Sequence, residues 1–473
     1  MLNAANAIDA TKSVLDFYEK NQNTYLEDLK TLTRIPSISF DGFPPEEVRR
    51  SAEAVRDLLK RCGLENVQLM EVPGTHPYVY GDWLHQPGSP TLLLYAHHDV
   101  QPPLREDLWN TPVFEPTEKN GRLYARGIAD DKAGILIHVA SIEAWLKVAK
   151  TLPINVKVII EGEEEIGSVH LRQFLSQYKS QLQADCVILT DCTNYDTGIP
   201  SLTTTLRGLI SVDVTVTALD HPLHSGMWGG PIPDPIQGLS KIIAALSGPD
   251  GKVAIPELWA DVTAPTAEEI EDFRKLGMRD KLFRSQAGLA DGVELFGHDD
   301  EILRKMWREP SIVVNSIQSG GKKIAGNVIM DSAWARIGLR LVPHMEHAKA
   351  TKLFVEAIEK LCPWGLKIEV IPEQGANPWM TSPEHPVFSV AKKALSDGYE
   401  KEAVYIGCGG TIPFVESFTQ ALGNVPCLLV GVEDPYTNAH SENESLDLND
   451  FHKAVRSQIH LFAQLAGRSE LFR

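Results

Sequence analysis

Residues 91–100, Thr91-Leu92-Leu93-Leu94-Tyr95-Ala96-His97-His98-Asp99-Val100, constrain this fold more than any other stretch of the chain. A short, continuous apolar run bounded by Pro87-Gly88-Ser89-Pro90 and Pro102-Pro103 reads as a strand buried on both faces of a parallel sheet. It ends on two imidazoles and a carboxylate. In an open α/β sheet, ligand sites lie just beyond the carboxyl ends of the strands. A histidine there can bind a metal ion, and an acid two residues on returns to the same side to orient it. Taken alone, His-x-Asp after an apolar strand also describes an ordinary surface turn.

The rest of the chain repeats the pattern. Helical periodicity covers 11–33 and 45–62, and strand-like runs cover 66–72, 78–84 and 91–97. An apolar-faced helix over 131–150, a strand 155–160, a helix 168–180 and a strand 184–191 follow. This β–α–β–α–β order predicts an α/β fold with a mostly parallel, covered sheet. After about residue 205 the character changes, and Ser211–Thr217 alternates as a strand with one wet face does. Asp234-Pro235 opens a helix that Gly248 closes, and strand 332–342, helix 345–361 and strand 366–372 come later. Residues 252–310, charged and partly helical, read as an insertion. From 387 the first pattern resumes: helix 387–398, strand 402–406, helix 412–422, strand 425–432 and helix 449–466. The expected organisation is a first domain built from 1–205 and 377–473, interrupted by an α+β sandwich over 206–376.

At 473 residues the chain exceeds what one hydrophobic core usually fills. A net charge of −18 argues against nucleic acid or an anionic membrane as partner, since both select basic surfaces. No stretch approaches the ~18 apolar residues of a membrane span, and the first residues carry neither a basic nor an apolar leader segment. The six cysteines form no Cys-x-x-Cys pair, which suits free thiols in a reducing compartment and a cytoplasmic location.

Five acid- or imidazole-bearing stretches lie at or soon after strand ends. They are His97-His98-Asp99, Arg126–Gly134 with Asp130-Asp131-Lys132, Glu161–Ser168 with Glu163-Glu164-Glu165, Thr190-Asp191 and Asn438–Glu442 with His440. Strand ends of one sheet converge, so these side chains can share one pocket. Two imidazoles and several carboxylates suit zinc or manganese. Two divalent ions are balanced by three ligand carboxylates and one hydroxide, which leaves a further acid to act as base. Each stretch also has a plain reading. The glutamate run could be a solvated helix start, Asp130-Asp131-Lys132 a helix cap, and His440 a loop histidine. All five falling at strand ends is harder to explain without a shared site.

Together these stretches resemble the co-catalytic di-metal peptidase family of carnosinase-type dipeptidases, carboxypeptidase G, aminoacylase and succinyl-diaminopimelate desuccinylase. The family's His-x-Asp, Asp-Asp-Lys-x-Gly, Glu-Glu-x-Gly-Ser, Asp and His signatures appear in order between His97 and His440. The resemblance implies a phosphorylase/hydrolase-like catalytic domain with an inserted lid and dimerisation domain. It implies two divalent ions, zinc foremost and manganese or cobalt as substitutes. His97 and Asp191 would bind one ion, Glu165 and His440 the other, and Asp130 would bridge them. Glu164 would be the general base that activates the bridging water, and Asp99 would orient His97. His98 falls on a variable position of the motif and is left out of the ligand set.

The second domain carries further matches. His224-Ser225-Gly226-Met227-Trp228-Gly229-Gly230 resembles the motif whose histidine, in dimeric members, reaches the partner's site to hold the oxyanion; it could otherwise be a turn histidine. Arg340 matches an arginine that grips a substrate carboxylate, a task that suits a bidentate fork, and otherwise would be a strand-face salt-bridge residue. Gly409-Gly410-Thr411-Ile412-Pro413 resembles the family's glycine loop, whose backbone N–H groups can take a carboxylate. Asn315 and His385 are further substrate-pocket candidates. Two positions depart from the pattern: Gly407-Cys408 replaces the Arg-Glu that carnosinase-like members often carry, and Pro222 replaces an acid. The expected activity is amide-bond hydrolysis in small peptides by a homodimeric dipeptidase. Removal of an N-acyl or N-carbamoyl group from an amino acid at the same site is the alternative, and a metal-free binding protein on this fold is a reading from another class.

Overall fold

The computed structural model describes residues 3–321, 326–412 and 414–472; Pro413 of the glycine loop lies outside them. The chain divides into two compact units. One comprises Met1–Thr204, Thr381–Ile406 and Phe414–Arg473, and the other comprises Thr205–Met380 and Gly407–Pro413. The sequence pattern places the glycine loop with the returning α/β segment, whereas the structure groups it with the inserted unit. The reason is local: the Arg207 backbone N–H donates to Gly410 O at 3.0 Å and its side chain to Gly409 O at 2.9 Å.

In the first unit, helices α1 (Ala4–Thr33) and α2 (Pro45–Cys62) lead into strands β1 (Glu65–Met70), β2 (Tyr78–Trp83) and β3 (Thr91–His97). Helix α3 (Lys132–Ala149), strand β4 (Asn155–Glu161), helix α4 (Leu171–Leu182) and strands β5 (Cys186–Leu189) and β6 (Ser201–Leu206) follow. Helix α5 (Pro386–Tyr399), strand β7 (Cys427–Val430) and helix α6 (Leu448–Leu465) follow near the end of the chain. The α1 helix begins before the periodicity from residue 11 announces it, because Asn3 caps it by accepting the Asn6 N–H at 2.9 Å.

These strands run in the order β1-β2-β4-β3-β5-β7-β6. The central strands β4, β3, β5 and β7 are parallel, while β1, β2 and β6 pair antiparallel at the margins. The parallel sheet expected from the βα alternation is therefore the centre of a mixed one. Residues 71–77 are too few for a crossover, so β1 and β2 must pair as neighbours in opposite directions. Along β3, Leu92, Leu94 and Ala96 join the core shared with α1, α3, α5 and α6, and the alternate residues Leu93, Tyr95 and His97 are buried on the other face. Truncating such a core leucine to alanine costs roughly 2–5 kcal/mol.

The inserted unit is a four-stranded antiparallel sheet in the order Ser311–Gln318, Ser332–Leu341, Gly208–Thr217, Lys367–Pro372. The central strand Gly208–Thr217 alternates buried and half-buried residues throughout, and Val212, Val214 and Val216 face Leu239, Ile242, Phe354 and Ile358 of two covering helices. Asp234 accepts the N–H groups of Ile236 and Gln237 at the start of helix Pro235–Ala245, as the Asp-Pro pair predicts. Edge strand Ser311–Gln318 has no counterpart in the sequence reading. Its Val313 and Ile317 are each 56% exposed, so it has no burial rhythm to read. Among the described residues, no helix is long and apolar enough to cross a membrane.

Candidate metal centre

The centre lies within the first unit, where β3 ends on a fully buried His97. Its Nδ1 lies 3.1 Å from the Asp99 carbonyl oxygen, so Nδ1–H donates there and the Nε2 lone pair faces acids. Nε2 is 3.0 Å from Asp130 Oδ1 and 4.0 Å from Asp191 Oδ2. Asp130 stands just before α3, and Asp191 just after β5. The other Asp130 oxygen, Oδ2, is 3.1 Å from His440 Nε2, which in turn is 3.3 Å from Glu165 Oε2. His440 adopts a left-handed backbone, φ 60°, in the loop between β7 and α6, and Glu165 sits in the turn after β4.

Two triads result, His97–Asp130–Asp191 and Asp130–Glu165–His440, each with one ligand atom per residue and all three atoms within 4.8 Å of one another. They share Asp130, which faces each imidazole with a different oxygen. The donor set fits divalent ions of the zinc and manganese kind, and three protein ligands per site leave positions open for substrate and water. Electrostatics agree. Burial alone would raise the Asp130 pKa, but His440 and His97 outweigh it and hold the carboxyl far below the usual range. Burial pushes Glu165 up to about 7, with Asp130 adding to the rise. Burial, then the charges of Glu164 and Asp130, raises Asp191 well above the usual range. Carboxylates crowded this closely penalise one another's ionisation, a penalty that a cation relieves.

The adjoining glutamates divide their work. Glu164 is half-buried in the turn Glu164–Ile166, and burial, with the charges of Glu165 and Asp130, raises its carboxyl well above the usual range despite opposition from His97. Glu161 and Glu163 are buried and accept Tyr78 and Tyr95 hydroxyls or the His170 ring, so neither is a solvated helix start. Lys132 is buried too, donating to the Leu32 and Ile35 carbonyls. His98 donates Nε2–H to Pro77 O at 2.9 Å, and burial lowers its pKa to about 4, consistent with a structural role.

The inserted unit holds most of the remaining candidates. His224 is exposed and its Nδ1 accepts the Gly226 N–H at 3.1 Å, which places the proton of the neutral ring on Nε2 as a donor. Arg340 Nη1 donates to Thr411 Oγ1 at 2.7 Å, tying the arginine to the glycine loop. Asn315 is the unpaired residue where the register shifts between Val314 and Ser316, and its Oδ1 occupies room that a Cβ at Gly338 would fill. His385, in the first unit, caps α5 by accepting the Val387 N–H at 3.3 Å and belongs to neither triad.

The model of peptidase family M20/M25/M40 matches residues 93–464. This chain belongs to that family. As a member it is a metallopeptidase with a catalytic and a lid domain. A cysteinylglycine-S-conjugate dipeptidase of Corynebacterium striatum is 33% identical over 362 residues, covering 76% of this chain and 77% of that protein. A Cys-Gly metallodipeptidase of Schizosaccharomyces pombe is 30% identical over 473 residues, covering 95% and 96%. The crystal structure of human carnosine dipeptidase 1 matches with a TM-score of 0.86 at 26% identity, over 97% of this chain and 99% of that one.

Several supporting residues of this M20 peptidase were not legible in its sequence. Asp99, whose carbonyl oxygen faces His97 Nδ1, also accepts at its carboxylate the N–H groups of Glu164 at 3.2 Å and Glu165 at 3.1 Å and the Ser39 hydroxyl at 2.7 Å. Gln101 donates through Nε2 to Glu165 Oε2 at 2.7 Å. Buried Glu444 accepts the N–H groups of Gly127, Ala129 and Asp130 and the Arg126 guanidinium. Nothing in spacing announces these partners, because each joins segments far apart in the chain. Only Gly134 left a trace: a Cβ there would overlap Thr190 Oγ1 and Asp131 Oδ1, which explains the glycine of Asp-Asp-Lys-x-Gly.

Proposed function

We propose that this metallopeptidase hydrolyses the peptide bond of small peptides, dipeptides foremost, with two divalent ions, zinc foremost, held by His97, Asp130, Asp191, Glu165 and His440. The observation that carries the reading is Asp130, shared by two ligand triads through separate oxygens. When bound, such ions polarise the scissile carbonyl and acidify water. Glu164, whose proton affinity burial raises, takes a proton from the attacking water and delivers it to the leaving amine. Asp99 steadies that base through its backbone N–H. Arg340 with Gly409, Gly410 and Thr411 takes the substrate carboxylate, and Asn315 and His385 are further substrate-binding candidates.

His224 donates Nε2–H to the oxyanion formed in the partner protomer of a homodimer. Dimerisation through the inserted unit is supported by edge strand Ser311–Gln318, whose exposed Val313 and Ile317 leave an unpaired apolar margin. The free thiols of Cys62, Cys186, Cys362 and Cys427 support a reducing, cytoplasmic setting.

Deacylation of N-acyl amino acids is the second reading, favoured by Gly407-Cys408. A Cβ at Gly407 would meet the Trp307 ring and Thr205 Oγ1 at 2.7 Å, so that position carries no side chain to recognise an amine. The test is hydrolysis of a panel of dipeptides and N-acyl amino acids by metal-depleted protein, then with zinc, manganese or cobalt restored. Metal-dependent cleavage of free-amine dipeptides supports the first reading. Cleavage confined to acylated amino acids moves the assignment to a deacylase.

A further inference from the structure

Two guanidinium groups share one corner of the inserted unit. Arg340 lies opposite Leu209 on one neighbouring strand and opposite Ser311 on the other. Arg207, just before strand Gly208–Thr217, donates through Nη1 to Ser311 Oγ at 3.0 Å and through Nε to Gly409 O at 2.9 Å. Its own backbone N–H donates to Gly410 O at 3.0 Å. Arg340 reaches the same loop from its strand, at Thr411 Oγ1, 2.7 Å away. Each arginine thus fastens a different residue of one short loop, and Ser311 joins the two anchor points.

The charges are out of balance. Both side chains are half-buried, and neither pairs with a carboxylate among the described residues of this unit. Burial first, and the Arg340 charge second, pull the Arg207 pKa down to about 10, and burial lowers that of Arg340. Both remain protonated near neutrality. A chain of net charge −18 could easily have placed an acid beside them. Neighbouring, partly desolvated cations with no carboxylate beside them are costly unless an anion completes the set.

We infer that Arg207 is a specificity-determining positioning residue: it fastens the Gly409–Thr411 loop to the strands flanking Arg340 and supplies the second positive charge that makes this corner a receptor for a carboxylate. The inference rests on the proposed reading of Arg340 as the carboxylate-binding arginine. On that reading, what Arg207 sets is the preference for a substrate with a free carboxylate over the amide or ester of the same sequence. Arg207 acts through the loop and through the field, not as a proton donor or acceptor.

The experiment compares steady-state hydrolysis of a dipeptide and its C-terminal amide by metal-reconstituted wild type, Arg207→Gln, Arg207→Lys and Arg340→Gln, with metal content and circular dichroism recorded for each. Wild type is expected to favour the acid by at least ~100-fold in kcat/KM, as a charge-assisted, bidentate contact allows. Arg207→Gln is expected to cut that preference at least ~10-fold, chiefly through KM, and Arg207→Lys to recover only part, since it restores charge without the fork. Equal losses on acid and amide would make Arg207 a general scaffold residue and overturn the inference. A wild-type preference that survives Arg207→Gln overturns the inference alone. A wild type with no preference overturns the carboxylate reading itself, and this inference with it. Should Arg207→Gln lose native dichroism, Arg207→Lys carries the test, and an undiminished preference in it counts against the assignment.

Discussion

The backbone N–H of Asp130 donates to Glu444 Oε1 at 3.2 Å, so the carboxylate that follows the His440 loop carries the peptide of the residue common to both triads. The same carboxylate accepts Gly127 N and Arg126 Nη1, both at 2.8 Å, and neither acid nor guanidinium is reached by solvent to any extent.

Glu444→Gln should therefore harm the metal centre without touching a ligand. It leaves the Arg126 charge buried and uncompensated, a loss of ~3 kcal/mol or more. Loosening the Asp130 peptide should weaken metal affinity ~10–100-fold. Urea unfolding and metal analysis after dialysis check both; a fully loaded variant with an unchanged midpoint contradicts the role.

Glu164→Gln separates binding from chemistry. The amide keeps the shape of the side chain but cannot take a proton, so turnover should fall by at least ~10²–10⁴-fold while both ions stay bound. Near-normal turnover with full metal content would remove Glu164 as the base.

His224→Ala tests the donor from the inserted unit. With Nδ1 engaged by the Gly226 N–H, the neutral ring offers only Nε2–H, and its loss should lower kcat ~10²-fold or more while metal content holds. Unchanged kinetics would take His224 out of the reaction.

A pH effect is expected at a buried histidine outside the two triads. His138 is buried in α3 with Nε2 donating to Tyr95 O at 3.1 Å, and its Nδ1 lies 2.9 Å from the Gln458 amide, which satisfies a neutral ring once rotated to present its NH2. Burial lowers its pKa from 6.5 to about 4. The unfolded chain thus binds the proton first as pH falls. The stability from this group is complete above about pH 6.5, declines between there and about 4, and is flat below. The decline amounts to ~3 kcal/mol. Unfolding free energies of wild type and His138→Gln across that interval should show a steeper slope for wild type; parallel slopes would refute it.

Much of this protein was legible in the sequence. Apolar strand runs ending on His97, Glu161 and Thr190-Asp191 imply a covered sheet with chemistry at its carboxyl edge, because burial on both faces leaves no alternation and polar groups collect where strands emerge. Those local rules are written in neighbouring residues. Tertiary structure alone decided which partners each acid meets. Glu163 and Glu165 are near neighbours of the same type, yet one accepts Tyr78 and His170 while the other meets His440. It also decided that Asp99 carries the Glu164 turn, that Glu444 holds Asp130, and that Arg207 and Arg340 share one loop. Each depends on a hydrogen bond between segments remote in the chain, and such a bond leaves no period, composition or spacing behind.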